Sequence, residues 1–159
     1  MQIKKPDSDI YEFQEQLKIG EENERLLDSY FSKYYKIQSV TMELQKRGID
    51  RLFIDGNRIL KIEYKADYKA IKTGNVFIET YSVKPIKKGW SLTSESDFIL
   101  YYIIGDSVYV MPTGFMREKL DIWEFIYKKA NCKNKEYESE GILVPLGDIR
   151  KIFKSIVID

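Results

Sequence analysis

The chain has 159 residues, enough for one core of ordinary size and too few for two comfortable domains, so residues 1–159 read as a single domain. Hydrophobic residues make up 43% and charged residues 32%, with twelve tyrosines and eight phenylalanines, a balance that excludes a disordered tail protein. The formal net charge of +1 excludes a global basic field, and the single cysteine, Cys132, excludes an internal disulfide and suits a reducing compartment. Histidine is absent, which removes Ser-His-Asp and Cys-His catalysis, histidine-ligated zinc and every histidine base at once. Carboxylates, lysine, tyrosine and a bound metal are what remain for chemistry.

No apolar run reaches the roughly 18–20 residues of a membrane span, and "MQIKKPDSDIYEF" lacks the apolar centre of a signal peptide. A cytoplasmic protein with no membrane partner is expected.

The first periodic segment is "GEENERLLDSYFSKYY". At about 100° per residue, Leu26, Leu27, Tyr30, Phe31 and Tyr34 share one stripe, which predicts an amphipathic helix over 20–35 with Glu24 near the stripe's edge. "KIQSVTMEL" predicts a first strand and "QKRG" a polar turn. "GIDRLFIDGNRILKIEYK", residues 48–65, predicts two strands folded about Gly56-Asn57. Residues 76–83, "VFIETYSV", form another strand, "KPIKKGW" a basic loop, and "SESD" starts a short turn or helix. "FILYYII" and "SVYVMP" flank Gly105-Asp106 as a hairpin. Thr113 is placed to cap a helix over 114–129 whose apolar side carries Phe115, Leu120, Trp123, Ile126 and Tyr127. After the charged stretch "KNKEYESE", which leaves Cys132 in a loop or helix end, "GILVPL" makes a last short strand and "GDIRKIFKSI" a closing helix. The order predicts an α/β fold with a mixed central sheet flanked by helices.

Acids inside the 48–65 hairpin need a reason. With Gly56 and Asn57 at the turn, Asp55 faces Arg58, and counting outward sets Asp50 opposite Glu63. Side-chain alternation then puts Asp50, Lys61, Glu63 and Lys65 on one face and Phe53, Leu60, Ile62 and Tyr64 on the other, while Leu52, Ile54 and Ile59 bury at the turn end. Like charges directly opposed, roughly 4.5–5.5 Å apart at Cβ, destabilise a sheet. A divalent cation between them compensates, and oxygen ligands of this kind suit Mg²⁺, with Mn²⁺ able to substitute. Water around an exposed hairpin is the competing account.

An Asp, about a dozen residues, then Glu-x-Lys on the next strand resembles the PD-(D/E)XK nuclease superfamily. The pieces are Asp50 in "GID" and Glu63, Tyr64 and Lys65 in "IEYK", with Ile49 where the family usually has proline. "GEENERLLDSYF" is similar to the first helix of archaeal-type Holliday junction resolvases, whose G-x-x-x-E-R pattern falls on Gly20, Glu24 and Arg25. The likeness spans roughly residues 17–85, and the rest looks like small phage or bacterial members of the group. It implies a restriction-endonuclease-like fold and metal-dependent hydrolysis of phosphodiester bonds, leaving a 5′-phosphate and a 3′-hydroxyl. It further implies that Asp50, Glu63 and the main-chain carbonyl of Tyr64 hold Mg²⁺, that Lys65 orients or helps deprotonate the attacking water, and that Glu24 holds a metal-bound water or a second ion. For a phage-encoded member the compartment is the host cytoplasm.

Glu79 in "FIET" is a candidate additional ligand. Lys84, Lys87 and Lys88 around Trp90 form the densest basic and aromatic loop, suited to phosphate contact or stacking, and Lys46, Arg47 and Lys61 join them by proximity. DNA is the expected partner, branched or damaged DNA in particular, because so small a surface reads little sequence. A homodimer or a recruiting protein suits an enzyme that cuts two strands. The competing classes are a catalytically silent nuclease-like module that binds DNA or protein, and a viral interaction protein that docks through "YYIIGDSVYV".

Overall fold

A computed structural model describes residues 8–133 and 136–158, with side chains from residue 18 onward. The chain runs α1 (Ser8–Phe31), β1 (Lys36–Ser39), α2 (Met42–Lys46), β2 (Arg51–Asp55), β3 (Arg58–Asp67) and α3 (Ala70–Thr73). It continues through β4 (Asn75–Val83), β5 (Lys87–Lys88), α4 (Trp90–Thr93), β6 (Phe98–Ile103) and β7 (Val108–Pro112). It ends with α5 (Thr113–Ile126), β8 (Lys129–Lys133), β9 (Glu138–Pro145), α6 (Leu146–Ile152) and β10 (Lys154–Ile156). No helix among the described residues is long and apolar enough to cross a membrane.

The strands form two sheets rather than one. A six-stranded mixed sheet has the order β1-β2-β3-β6-β7-β10, and a four-stranded antiparallel sheet has the order β5-β4-β9-β8. Only β3 and β6 pair in parallel within the large sheet, and the connection between them carries α3, β4, β5 and α4. A parallel pair needs a long crossover. Here the crossover builds half of a second sheet, so residues 76–83 leave the central sheet predicted for them and lie across its face.

Alternation along β3 sorts the two sides of the large sheet. Leu60, Ile62 and Tyr64 face α1, where Leu27 and Phe31 pack with Phe53 and Leu100. Glu63, Lys65 and Asp67 take the other face, paired with Ile99, Tyr101 and Ile103 of β6. Those three β6 side chains enter the larger core between the sheets, with Val76, Ile78, Ile142 and Val144 of the small sheet and Met116, Leu120 and Trp123 of α5.

The 48–65 hairpin has the predicted register: Asp55 pairs with Arg58 and Phe53 with Leu60, and Gly56 adopts the positive φ, 57°, of the first turn position. Other boundaries moved for local reasons. Helix α1 starts before residue 20 and stops at Phe31, which leaves Tyr34 outside it and exposed. Thr41 accepts the Leu44 N–H at 3.4 Å and caps α2, pulling residues 42–44 out of the predicted strand. Thr113 lies inside α5, its hydroxyl against Ser96 at 3.1 Å, while Pro112 occupies the cap position. "SESD" is not helical, because the short helix forms just before it at Trp90–Thr93. Ile59 is exposed rather than buried, being at the turn tip with no layer above it. Residues 129–133 and 138–140, expected in a helix end and a loop, pair as β8 and β9. The chain closes with β10, which pairs with β7, so "YYIIGDSVYV" is interior to the sheet and offers no docking edge.

The turn before β2 sets the start of the site. Gly48 has φ 77°, and a Cβ there would stand 2.8 Å from the Ser94 Cα. Ser94 Oγ donates to the Gly48 carbonyl at 3.0 Å, and Glu95 N–H donates to the Arg47 carbonyl at 2.9 Å. Gly48→Ala combines a left-handed backbone with a backbone collision, so it is expected to lower stability by about 1–3 kcal/mol. Urea unfolding of the two proteins side by side measures this, and an unchanged midpoint would refute it.

Candidate active site

Asp50 immediately precedes β2, and its N–H still donates to the Ile62 carbonyl at 2.8 Å. The ladder ends at Arg51–Ile62, one pair short of the expected Asp50–Glu63 opposition. The Asp50 carboxylate instead reaches forward, and its Oδ2 accepts the Tyr64 N–H at 2.7 Å. The side chain thus satisfies a donor that β2 no longer covers. That bond, and not cross-strand opposition to Glu63, fixes the side chain.

Glu63 is 4% exposed. Its Oε1 lies 3.0 Å from Lys65 Nζ, whereas Oε2 is buried without a hydrogen-bond partner. A buried acceptor of this kind costs about 1–3 kcal/mol, more when charged, and calls for a group to fill it. Lys65 Nζ also sits 5.6 Å from the centre of the Trp90 ring, so Glu63 and Trp90 hold the ammonium between them.

Glu79 comes to the same place from the small sheet, within electrostatic reach of Lys65 and Glu63. Burial raises its pKa above the ordinary 4.5, with Lys65 and the Trp90 N–H pulling down and Glu63 pushing up. The backbone around it is tight: Ser91 Oγ donates to the Glu79 carbonyl at 2.5 Å, and a Cβ on Gly89 would stand 2.6 Å from that oxygen.

Glu24 arrives from α1. Its carboxylate lies 3.4 Å from Arg51 Nη2, and burial raises its pKa, with Arg51 lowering it and Asp50 raising it. Arg51 was not singled out from the sequence, yet it organises this side. Its Nε donates to Asp28 at 3.1 Å and its Nη1 to the Asp50 carbonyl at 2.9 Å, and its guanidinium lies 5.4 Å from the centre of the Tyr64 ring. Tyr64 Oη donates to Asp28 at 2.8 Å, and burial with that bond keeps the phenol protonated. A signal existed: Glu24 and Asp28 stand four residues apart, on one helix face, just as an arginine follows the candidate aspartate.

The basic candidates disperse. Lys46, Lys61, Lys87 and Lys88 are exposed. Arg47 pairs with Glu95 through two bonds, at 2.8 and 3.1 Å, and Lys84 pairs with Glu140 at 2.6 Å, so either must exchange its partner before meeting a phosphate.

Among the described residues no three acidic or thiol groups converge as a ready metal cage. The donor set still fits Mg²⁺, which takes one or two carboxylates and keeps several waters. Glu63 Oε2 is the orphaned oxygen such an ion would take, Asp50 is the second carboxylate, and the Tyr64 carbonyl belongs to the residue after Glu63, whose N–H the Asp50 carboxylate accepts.

The raised carboxyls have a stability consequence. A carboxyl whose folded pKa exceeds its unfolded value contributes stability below the unfolded pKa, and that contribution is lost as pH rises through the folded value. Glu79→Gln keeps an acceptor for the Trp90 N–H and removes the penalised charge. At pH 7 without metal it is expected to melt a few degrees above the native protein, with the difference vanishing below about pH 4.5. Thermal melts across that range measure it, and a lower melting point at pH 7 would refute it.

The chain matches no family model, no curated protein and no solved structure.

Proposed function

We propose that the protein is a divalent-cation-dependent nuclease of the PD-(D/E)XK type, hydrolysing phosphodiester bonds of DNA, with branched or damaged DNA as the preferred substrate. The observation that carries this reading is the buried, unpartnered Glu63 Oε2 with Lys65 on its other oxygen and Asp50 bonded to the N–H of the next residue, Tyr64. The Lys65 ion pair engages one Glu63 oxygen and leaves the other for a further partner.

Asp50, Glu63 and the carbonyl of Tyr64 would hold Mg²⁺ or Mn²⁺. When bound, such an ion supplies Lewis-acid stabilisation of phosphoryl charge and a more acidic water. Lys65 presents a fixed ammonium to the attacking water and to a non-bridging phosphate oxygen, because Glu63 and Trp90 restrict where its Nζ can go. Glu79, within electrostatic reach of Lys65 and Glu63 and with its proton affinity raised by burial, is a carboxylate that would accept the water's proton. Glu24, held by Arg51 and within electrostatic reach of Asp50, would hold a metal-bound water or a second ion. Hydrolysis adds water across the P–O3′ bond, releasing a 3′-hydroxyl and a 5′-phosphate. Lys61, Lys87 and Lys88, with exposed side chains, are the first groups to consider for phosphate contact along the strand.

The test is cleavage of labelled linear, flapped, four-way and supercoiled DNA with Mg²⁺ or Mn²⁺. Lys65→Ala and Glu63→Gln are each expected to reduce metal-dependent cutting at least about a hundredfold, and chelation to abolish it. Retained DNA binding without cutting of any form would instead identify a catalytically silent module. Cutting that survives both substitutions would place the chemistry elsewhere.

A further inference from the structure

A groove of about 660 Å³ leads away from Lys65 and Glu79. Its floor is the face of the small sheet that the core does not use. Phe77 and Glu79 of β4 alternate with the buried Val76, Ile78 and Thr80, and Leu143, Ala130 and Cys132 continue the floor onto β9 and β8. At its centre Gly141 pairs with Ala130. A Cβ on Gly141 would stand 2.6 Å from the Phe77 ring, so the missing side chain lets that ring lean down over β9.

The walls carry rings and cations together. Trp90 closes the inner end with Lys65 Nζ against it, and Tyr68, 42% exposed, stands on the outer wall with Lys69 Nζ 5.7 Å from its centre. Asp67, between the two lysines in sequence, accepts the Lys69 and Ala70 N–H groups at 2.8 and 2.9 Å and the Tyr101 hydroxyl at 2.7 Å, bonds that hold the wall in place.

Aromatic rings interleaved with ammonium groups are what an unpaired base and its phosphate recognise, and stacking of this kind tolerates any base. The volume lies within the roughly 300–1,000 Å³ of small-molecule sites, a size that suits one or two nucleotides. We infer that this groove holds an unpaired nucleotide of the substrate strand, directing the cut to the junction between single-stranded and paired nucleic acid. The inference rests on the nuclease reading for its consequence, but the binding itself can be measured without cleavage.

Cys132 is the chain's single cysteine, is exposed, and lies on the groove floor, so its rate of alkylation by a maleimide reports occupancy. In chelator, a short single-stranded DNA is expected to slow alkylation saturably by at least about fivefold, and the same sequence as a blunt duplex to leave it unchanged. Tyr68→Ala, at an exposed position, is expected to weaken that protection by at least about fivefold while Phe77→Ala does the same from the floor. Protection by RNA in place of DNA would keep the groove and change the sugar it accepts. No protection by either single strand, equal protection by the duplex, or protection indifferent to both substitutions would overturn the inference. Protection without any metal-dependent cleavage would remove the nuclease reading alone, and cleavage without protection would remove the groove alone.

Discussion

One carboxylate oxygen, Glu63 Oε2, is sealed from water and from every hydrogen-bond donor among the described residues. A folded chain rarely keeps such an atom without a use for it, since closing it in costs free energy that no neighbour returns. Its surroundings make the cost tolerable. Lys65 neutralises the other oxygen, and the electrostatic partners of Glu79 are drawn from the same few residues. Much of the local architecture serves to hold this acid out of solvent with one oxygen on Lys65.

Two structural devices converge on it. On the α1 side, Arg51 ties Asp28 and Glu24 of the helix to the Asp50 carbonyl, while the Tyr64 hydroxyl and N–H engage Asp28 and Asp50. Helix and hairpin are locked at the point where the ladder gives out. On the opposite side, the long crossover between the parallel strands β3 and β6 carries β4 over the face of the large sheet and delivers Glu79. Gly89 and Ser91 press against the Glu79 backbone, and Arg117 of α5 bonds the Ser91 and Ser94 carbonyls, fixing the short helix that presents Trp90.

The same crossover makes the groove. The small sheet buries Val76, Ile78, Ile142 and Val144, and its other face stays open beside the end of β3. Beside its two short helices the crossover supplies a strand, and the sheet it joins gives a platform of Phe77, Leu143 and Ala130 adjoining the acids and the lysine.

The hairpin was legible in the sequence because its signals are local: a Gly-Asn turn, a period of two and a fixed facing once the turn is placed. Counting from the turn, with the family resemblance, singles out Asp50, Glu63 and Lys65, although the ladder stops one pair short of the counted Asp50–Glu63 opposition. Other elements misled for equally local reasons, as where the Thr41 cap ended a strand that β-propensity favoured, or where Phe115 and Ile126 fit a helical period yet remain partly exposed. Arg51 escaped notice because its value lies in three partners distant along the chain, at positions 24, 28 and 64. The second sheet escaped because pairing between β4 and β9 spans more than fifty residues, and nothing within either segment names its partner.

What the sequence by itself determined is therefore the chemistry available and the face on which it stands: no histidine, two acids and a lysine at strand spacing, and an apolar reverse side for a helix. Only the tertiary structure decided that Glu63 is dry, that Asp50 bonds to the Tyr64 N–H instead of opposing Glu63, that Glu79 joins them, and that a groove opens beside them. The physical reason is range. Turn preference and side-chain alternation act over a few residues, whereas desolvation and the meeting of charges depend on what the distant chain brings to cover them.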